Sequence, residues 1–260
     1  MNHLDKTSKW LKGTGVEIGA FKTPIDGIKP IYVDKFHEFA GERCLADFYG
    51  EACSLPFHSN SLDYVASSHV LEHVSNPIKA ICEWYRVLRP GGIMYIVVPD
   101  RRFTWDHRRA LTPVAHMLDD YARNTTDCDA THIDDFVENV DWTTYSPATP
   151  AEQVPAEKQK LKQIYHDTVA DGRIINIHFH VFEPSNVIEL FKAVTTFPQT
   201  KLDLTILDTA EQFPDNNPNG FLIVVRANKR LGDRFGVLKN SVRRRYDAAY
   251  PVLSTAQKFE

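Results

Sequence analysis

Residues 51–100 read EACSLPFHSNSLDYVASSHVLEHVSNPIKAICEWYRVLRPGGIMYIVVPD. The apolar runs at 62–68 and 93–98 predict two strands, and the second is continuously apolar, which is typical of the middle of a parallel sheet. Between them, SNP at 75–77 predicts a helix start, because a serine or asparagine cap precedes a proline in the first turn. Apolar side chains then recur at helical spacing as far as Leu88. A strand, a helix and a strand in this rhythm predict a βαβ unit of a parallel sheet.

The same rhythm continues on the N-terminal side of this stretch. A short helix is predicted at 3–12, and short strands are predicted at 16–18, 31–33 and 43–47. The segment 21–30 contains two prolines and a glycine, so we expect no full-length helix between the first two strands.

The C-terminal side is less regular. Residues 101–173 are polar and dotted with prolines, and they predict an inserted cap with helices near 113–123 and 156–170. Beyond the cap, the sequence predicts a strand at 174–181, a helix at about 185–196, and an antiparallel hairpin formed by 202–208 and 221–227. The predicted fold class is therefore α/β, with a Rossmann-like, mostly parallel sheet, helices on both faces, an antiparallel C-terminal hairpin and an inserted helical cap.

Charge is distributed unevenly over the predicted domains, which are a core at 1–100 and 174–227, the cap at 101–173 and a basic C-terminal tail at 228–260. The chain has a net charge of −4, yet residues 226–245 carry eight Lys or Arg and one Asp. Acidic residues concentrate at 119–141, within the cap. A basic tail suits anionic partners such as nucleic acid or a lipid surface, whereas the simpler interpretation is a solvated helical tail.

The composition excludes several classes of protein. Of the 260 residues, 43% are hydrophobic and 25% are charged, which is typical of a globular chain. The four cysteines form no C-x-x-C pair, so we expect reduced thiols in a cytoplasmic protein. The polar start predicts no signal peptide, and the lack of a run of about 18 apolar residues predicts no membrane span.

Two stretches carry a family resemblance: residues 51–100, and GVEIGAFKTPI at 15–25 followed by YVD at 32–34. Together they resemble the class I S-adenosylmethionine-dependent methyltransferases, and the pattern LPF…SLDYV…SHVLEH…VLRPGG resembles the type 11 methyltransferase-like domains. PDRRFTWDHRRALTPVAHMLDDY at 99–121 and IHFHVFEP at 177–184 are similar to a branch often associated with cell-surface carbohydrate and secondary-metabolite pathways. The resemblance implies a Rossmann-like fold, methyltransferase activity and S-adenosylmethionine as the cofactor.

The resemblance also implies which residues bind the cofactor. In the family, an acid at the Glu17 position helps to hold the ammonium group, and one at the Asp34 position bridges the ribose hydroxyls. An acid after the third strand meets the adenine amine, and the spacing favours Glu51 over Asp47. The implied cofactor-binding residues are Glu17, Ile18, Gly19, Ala20, Asp34, Asp47, Glu51, Ala52, Ser68 and His69.

The glycine-rich loop of the family is reduced here, since Gly19 is followed by AFKTP rather than by further glycines. A dinucleotide needs those glycines for its pyrophosphate and for helix packing, so the pattern disfavours NAD. A nucleic-acid substrate is disfavoured as well. SSHV at 67–70 stands where amino-methylating DNA enzymes carry N/D-P-P-Y/F, and the acidic cap would repel phosphates.

The expected acceptor site combines histidines and arginines that follow the fifth strand or lie near the cap. Methyl transfer to a hydroxyl needs a base. The candidates for catalysis are His178, His180, His69 and Asp100. Strand alternation would turn His178 and His180 to one face, where Asp119 or Asp120 could complete a metal site. Histidines that support the pocket without metal are favoured, because no complete ligand set can be read from the spacing, so no metal is predicted.

Arginines near the same strand are candidates for binding an anionic group of the acceptor, because their forked donors suit phosphate and carboxylate. The candidate acceptor-binding residues are Arg101, Arg102, Arg108, Arg109 and His116. The alternative role of these arginines is ion pairing with the acidic residues at 119–141.

These features predict methyl transfer to a small-molecule acceptor, and the resemblance favours a hydroxyl of a sugar or secondary metabolite. Two alternatives stay open. One is N-methylation of an amine-bearing small molecule, which the acidic segment would attract. The other is a non-catalytic S-adenosylmethionine-binding scaffold. A small-molecule acceptor rather than nucleic acid is the expected partner, and a homodimer is the candidate oligomer.

Overall fold

The computed structural model describes residues 1–229, so most of the basic tail predicted at 228–260 lies outside the described residues. The described chain forms nine strands: β1 (Gly15–Ile18), β2 (Ile31–Asp34), β3 (Glu38–Phe39), β4 (Glu42–Arg43), β5 (Phe48–Tyr49), β6 (Leu62–Ser68), β7 (Leu88–Pro99), β8 (Leu204–Phe213) and β9 (Gly220–Ala227). Its α-helices are α1 (His3–Trp10), α2 (Pro77–Val87), α3 (Val114–Arg123), α4 (Ile133–Asn139), α5 (Trp142–Tyr145), α6 (Val154–Ala170) and α7 (Pro184–Thr196).

Seven of the described strands form one sheet in the order β5-β2-β1-β6-β7-β9-β8. The five strands from β5 to β7 in this order run parallel, whereas β9 is antiparallel to both of its neighbours, β7 and β8. β3 and β4 pair with each other outside this sheet. The predicted Rossmann-like, mostly parallel sheet with an antiparallel C-terminal hairpin is therefore confirmed.

The strand order reverses between β1 and β6. The chain first builds outward through β2 and β5, and then crosses back to the other side of β1. In open α/β sheets, ligands bind outside the carboxyl ends of the strands at such a switch point. Here that edge is formed by the residues that follow Ile18, Asp34 and Ser68. The topology thus locates a candidate site before the chemistry of any side chain is considered.

Apolar clusters cover both faces of the sheet. On one face, Ile96 belongs to a cluster with Trp84 of α2 and Phe191 of α7. On the other face, Tyr95 belongs to a cluster with Leu11, which follows α1. Tyr95 and Ile96 reach opposite faces because successive side chains alternate along a strand. Both faces of β7 are buried, which explains its continuous apolar run.

Local sequence signals set the start of α2. The side chain of Asn76 accepts a hydrogen bond from Lys79 N at 3.0 Å, and Pro77 occupies the first turn, where no amide hydrogen is needed. Trp84 lies on the buried face of the helix, and its Nε1 donates to Ala52 O at 3.0 Å. This bond ties α2 to the loop that follows β5.

The predicted strand at 43–47 is wrong. Arg43 ends β4 in the small hairpin, and the edge strand of the sheet is β5, which pairs with the end of β2. Between β4 and β5, Asp47 is held beside β2 because its backbone N–H donates to Tyr32 O at 2.9 Å. Since β5 has only two residues, its composition carries little strand signal.

The predicted strand at 174–181 is also wrong. Within the described chain this segment joins no sheet, because its amides donate elsewhere: Ile175 N to Asp127 O at 2.9 Å, and Phe179 N to Glu72 O at 2.8 Å. Ile175 and Phe179 are buried in an apolar cluster that includes residues of α4 and α6. The alternating apolar residues of this segment are therefore buried against α4 and α6, and they do not form a strand.

The cap helices predicted near 113–123 and 156–170 are confirmed as α3 and α6. Phe136 of α4 and Trp142 of α5 share an apolar cluster with side chains of α6, so these helices have a core of their own beside the sheet. Among residues 1–229, no helix combines the length and the apolar character needed to cross a membrane.

Candidate active site

Gly19 follows β1 at the switch point of the sheet. Its N–H donates to Val33 O at 2.8 Å, and its φ of +68° lies in the left-handed region that glycine adopts without strain. A Cβ atom on Gly19 would lie 2.6 Å from Val70 Cγ2. Glycine therefore lets the turn after β1 pass directly beside the segment after β6.

Glu17 lies in β1 and is almost completely buried. Its Oε1 accepts a hydrogen bond from Ile25 N at 2.9 Å, whereas Oε2 has no hydrogen-bond partner within the described part of the chain. Burial raises the pKa of Glu17 to about 7, against the opposing effect of the hydrogen bond from Ile25. A cationic group beside Oε2 would satisfy this oxygen and stabilise the charged carboxylate.

Asp34 ends β2, the strand next to β1, and is also buried. Its Oδ1 accepts a hydrogen bond from Phe36 N at 2.9 Å, and its carbonyl accepts one from Gly50 N at 2.9 Å. Burial and the nearby Asp34 carboxylate raise the pKa of the Cys44 thiol. The carboxylate of Asp34 thus lies at the same edge of the sheet as the turn that follows Glu17.

The two acids considered for the adenine lie on opposite sides of β5. Asp47 precedes the strand, and its Oδ2 accepts a hydrogen bond from Tyr32 N at 2.9 Å. Glu51 follows the strand and is exposed, at the edge where Asp34 also lies. Ala52, the next residue, is buried. This geometry favours Glu51 over Asp47 for contact with a ligand at the switch point.

The segment after β6 brings two histidines to one carboxyl group. His69 Nδ1 lies 3.7 Å from Glu72 Oε1, and His73 Nε2 lies 3.8 Å from the same oxygen. Neither oxygen of Glu72 has a hydrogen-bond partner among residues 1–229. Burial raises the pKa of Glu72 to about 8 and lowers that of His69 to about 4 and that of His73 to about 3. All three groups are therefore mostly uncharged at neutral pH.

His178 is paired with a carboxylate. Its Nδ1 lies 2.5 Å from Asp106 Oδ2, and Arg109 Nη1 donates to Asp106 Oδ1 at 2.8 Å. All three side chains are buried. The His178 ring contacts His73 edge to face, with ring centroids 4.6 Å apart, and lies 5.3 Å from the ring of Trp105. His178 therefore adjoins the group of side chains that follows β6.

His180 does not share this environment, so the predicted common face for His178 and His180 is wrong. His180 Nε2 lies 3.2 Å from Ser75 O and 3.8 Å from Asp120 Oδ2, whereas His178 faces Asp106. The physical reason is that, in the part of the chain that the structure describes, the segment joins no sheet with a flat face, so the two rings meet different neighbours, Asp106 for His178 and Ser75 with Asp120 for His180. The structure brings His69 and His178 together and separates His180 from them.

Asp100 and the arginines beside it are engaged with protein groups. Both oxygens of Asp100 accept hydrogen bonds from the Arg102 side chain, and Arg102 also contacts Glu211. Arg101 Nε donates to Glu183 Oε1 at 2.5 Å. Asp100 is completely buried. As acceptor-binding groups these residues stay predictions. Arg101 and Arg102 form ion pairs, but with Asp100, Glu183 and Glu211 rather than with the acidic residues at 119–141 that the alternative named.

The remaining predicted residues are distributed between the site and the cap. Ile18 and Ala20 are buried beside Gly19, and Ser68 is half-buried at the end of β6. Arg108 is exposed, with Nη2 3.3 Å from Asp141 Oδ1, and His116 contacts Asp120 within the cap.

Sequence reasoning named neither Asp106 nor Glu72 as a site residue. Asp106 stands in the stretch 99–121 that carries part of the family resemblance, and Glu72 stands in SHVLEH. The motifs thus held the signal, but the pairing of Asp106 with His178 crosses 72 positions and could not be read from spacing.

S-adenosylmethionine fits the donor set at this edge. Its ammonium group matches the buried, partnerless Oε2 of Glu17, and its ribose hydroxyls match the Asp34 carboxylate. It has no pyrophosphate, so the loop after Gly19 does not need the further glycines that bind one.

Comparison with known proteins adds a sequence match. Residues 32–96 match the family model described as a methyltransferase domain. An uncharacterized 37.1 kDa protein in a transposon, from Streptomyces fradiae, is 37% identical over 67 residues, which make up 26% of this chain and 18% of that protein. The match thus spans less than a fifth of the length of this curated relative.

Among solved structures, a SAM-dependent methyltransferase from Methanosarcina mazei is 16% identical with a TM-score of 0.47, and the match covers 88% of this chain and 100% of that one. A SAM-dependent methyltransferase from Thermotoga maritima, described as a possible histamine N-methyltransferase, is 16% identical with a TM-score of 0.45, covering 88% of each chain.

The family match runs from β2 into β7 and includes Asp34, Glu51, Ser68 and His69. These residues lie at or follow the carboxyl ends of strands beside the switch point, and the sheet around them is the mostly parallel, Rossmann-like sheet that the resemblance implied. Residues 32–96 of this chain are therefore similar to a methyltransferase domain, the kind of domain that the sequence resemblance implied.

Proposed function

We propose that this protein transfers a methyl group from S-adenosylmethionine to a hydroxyl of a small-molecule acceptor, a sugar or secondary metabolite, with His178 as the base. The Asp106–His178 pair carries the proposal. An imidazole that donates Nδ1–H to a carboxylate has Nε2 left to accept a proton from a substrate. An aliphatic hydroxyl needs such a base, because it is a poor nucleophile while it keeps its proton.

Residues at the switch-point edge bind the cofactor in this proposal. Glu17 Oε2 accepts the ammonium group, Asp34 accepts the ribose hydroxyls, and Glu51 lies toward the adenine. Ser68 and His69 lie beside the methionine part. When bound, S-adenosylmethionine supplies a methyl group on a positively charged sulfur.

Asp106 and Arg109 prepare His178 for its role. Asp106 orients the imidazole and stabilises the imidazolium that forms when Nε2 takes the acceptor proton. Burial opposes the charge on Asp106, but His178 and Arg109 together lower its pKa below the usual value. A base positioned in this way contributes about 10²- to 10⁴-fold to a rate.

The side chains around His178 limit the access of water. His178 is 7% exposed, and the rings of Trp105 and His73 flank it. A sulfonium loses its charge during transfer, so a water-poor surrounding favours the reaction. The predicted cap at 101–173 supplies Trp105, Asp106 and Arg109, and we propose that it forms the acceptor side of the site.

Labelled S-adenosylmethionine and a panel of sugars, phenols and amines test the proposal. We expect methyl transfer to a hydroxyl. His178→Ala should lower kcat by about 10²- to 10⁴-fold and leave the Kd for S-adenosylhomocysteine unchanged. His166→Ala, at a partly exposed histidine of α6, is the matched control and should behave as wild type.

The panel also separates the alternatives. Transfer to amines alone would replace the hydroxyl acceptor with N-methylation. Cofactor binding without transfer to any acceptor would favour the non-catalytic scaffold. Cytoplasmic location and a homodimer stay predictions from the sequence, and cell fractionation and light scattering test them.

A further inference from the structure

Four side chains converge on one point: His116, Asp120, His132 and His180. His116 and Asp120 are one turn apart on α3, His132 directly precedes α4, and His180 lies in the extended segment before α7. Each offers an imidazole nitrogen or a carboxylate oxygen, and these four atoms lie within 4.8 Å of one another. All except His116 are buried.

The separations are close to those between ligand atoms around a tetrahedral ion. His116 Nε2 lies 3.0 Å from His132 Nε2, and Asp120 Oδ2 lies 3.3 Å from His116 Nε2 and 3.4 Å from His132 Nε2. His180 Nε2 is more distant, at 3.8 Å from Asp120 Oδ2. Ligand atoms about 2.0–2.2 Å from a tetrahedral ion lie about 3.3–3.6 Å from each other. The observed distances lie on both sides of this range.

Hydrogen bonding within the cluster is incomplete. Asp120 Oδ2 is buried and has no hydrogen-bond partner in the described residues, although three imidazoles surround it. His116 Nε2 and His132 Nε2 face each other, and a hydrogen bond between them needs one nitrogen protonated and the other bare. A buried carboxylate oxygen without a partner is costly. A cation at the centre would pair with the carboxylate and with every bare nitrogen.

Outer contacts hold two of the ligands in place. Asp120 Oδ1 accepts a hydrogen bond from Thr125 Oγ1 at 3.0 Å, which leaves Oδ2 turned to the centre. His132 Nδ1 lies 3.0 Å from Thr131 Oγ1, which leaves Nε2 turned to the centre. Metal-binding imidazoles and carboxylates typically have such partners on their outer atoms.

We propose that His116, Asp120, His132 and His180 bind one divalent transition-metal ion, with Zn²⁺ preferred. Imidazole nitrogens suit zinc and its neighbours in the transition series, whereas Mg²⁺ and Ca²⁺ prefer oxygen ligands. Four protein ligands around one ion are typical of a structural rather than a catalytic zinc site. His180 gives up its contact with Ser75 O when it binds the ion.

The ion joins α3, the start of α4 and the segment that ends at His180. His178 lies two residues before His180, so the ion anchors the segment that carries the proposed base. The inference rests on the geometry of the cluster and not on methyl transfer. Its test therefore measures metal binding and is decided separately from the proposed function.

The experiment uses tag-free, full-length protein that is stripped with a chelator and reloaded with Zn²⁺ or Co²⁺. We expect one ion per chain by elemental analysis, a calorimetric Kd, and the intense visible absorption of tetrahedral Co²⁺. Asp120→Asn and His132→Ala should weaken binding more than about 100-fold, since even changes to outer partners cost 10- to 100-fold. His180→Ala should weaken it less, because His180 is the most distant ligand.

Two control variants locate the ion. His166→Ala removes a partly exposed histidine outside the cluster and should leave binding unchanged. His73→Ala should also retain the ion, although Glu72, His73 and His178 form a second group of close ligand atoms. No ion on the wild-type protein in excess Zn²⁺, or wild-type affinity in both Asp120→Asn and His132→Ala, would overturn the proposal. The Co²⁺ spectrum of the wild type needs no substitution, so a misfolded variant does not decide the result.

Discussion

His178 Nδ1 lies 2.5 Å from Asp106 Oδ2, although the two residues are 72 positions apart in the chain. Asp106 belongs to a 3₁₀ turn at Trp105–Arg108, and His178 lies between Ile177 and Phe179, which pack against α4 and α6. Their contact determines which imidazole nitrogen is held by the protein. The other nitrogen is then the one that can meet an acceptor.

Asp106→Asn tests this orienting contact. An amide in place of the carboxylate can hold the other tautomer of His178 and no longer stabilises the imidazolium. We expect kcat to fall by about 10²- to 10⁴-fold while the Kd for S-adenosylhomocysteine stays constant. Single-turnover kinetics and calorimetry measure the two quantities. Asp135→Asn is the matched control, since Asp135 contacts the other side of Arg109 and is half exposed. Equal rates for Asp106→Asn and wild type would contradict the orienting role.

The affinity for the cofactor should depend on pH through Glu17. Burial raises the pKa of this carboxyl to about 7, so in the free protein it binds a proton below that pH. The cofactor's ammonium group favours the carboxylate, so binding below about pH 7 requires release of this proton. We therefore expect the Kd for S-adenosylhomocysteine to rise as pH falls below 7, by at most about tenfold per pH unit.

Glu17→Gln provides the control for that titration. The variant should bind more weakly and show a flatter pH profile between about pH 5.5 and 7, because no proton is released from position 17. Glu152→Gln, at an exposed position, should retain the wild-type profile. A steep profile in Glu17→Gln would assign the pH dependence to another group.

Gly19→Ala tests the close approach of the turn after β1 to the segment after β6. The new Cβ would lie 2.6 Å from Val70 Cγ2, in addition to the cost of a φ of +68° for a residue with a side chain. Gly172→Ala carries a similar backbone cost, since its φ is +72°, but a Cβ there meets nothing within 4 Å. We expect Gly172→Ala to lower the free energy of unfolding by about 1–2 kcal/mol. Gly19→Ala should lower it further and weaken cofactor binding, as measured by urea unfolding and calorimetry. Equal effects of the two variants would show that the contact with Val70 relaxes at no cost.

Glu72 should make the protein less stable as pH rises. Its pKa is raised to about 8 by burial, so the folded state keeps a proton that the unfolded state releases near pH 4.5. The free energy of unfolding then falls as pH rises between these values, by at most about 1.4 kcal/mol per pH unit. Glu72→Gln removes this term, so the decline between about pH 5.5 and 7.5 should be shallower than in wild type. Urea unfolding at these two pH values measures the decline in the free energy of unfolding, with Glu152→Gln as the control. Parallel declines in wild type, Glu72→Gln and Glu152→Gln would exclude Glu72 as their source.

Strong local signals made several elements predictable. The strand predicted at 62–68 matches β6, and the helix start predicted at 75–77 matches the Asn76 cap of α2. In these elements propensity, capping and burial all agree. The strands predicted at 43–47 and 174–181 failed for a different reason. Whether an extended segment joins a sheet depends on the partners of its amides, and these partners lie far away in the chain.

The candidate site was likewise predictable from the sequence only in part. The sequence by itself determined the α/β class and the glycine and acids at the switch point, because each depends on a short motif in a recognisable strand context. Only the tertiary structure decided that His178 pairs with Asp106 and that His180 joins His116, Asp120 and His132. Those contacts form when segments that are distant in the chain pack together. Sequence spacing does not reveal which distant segments become neighbours in the folded protein.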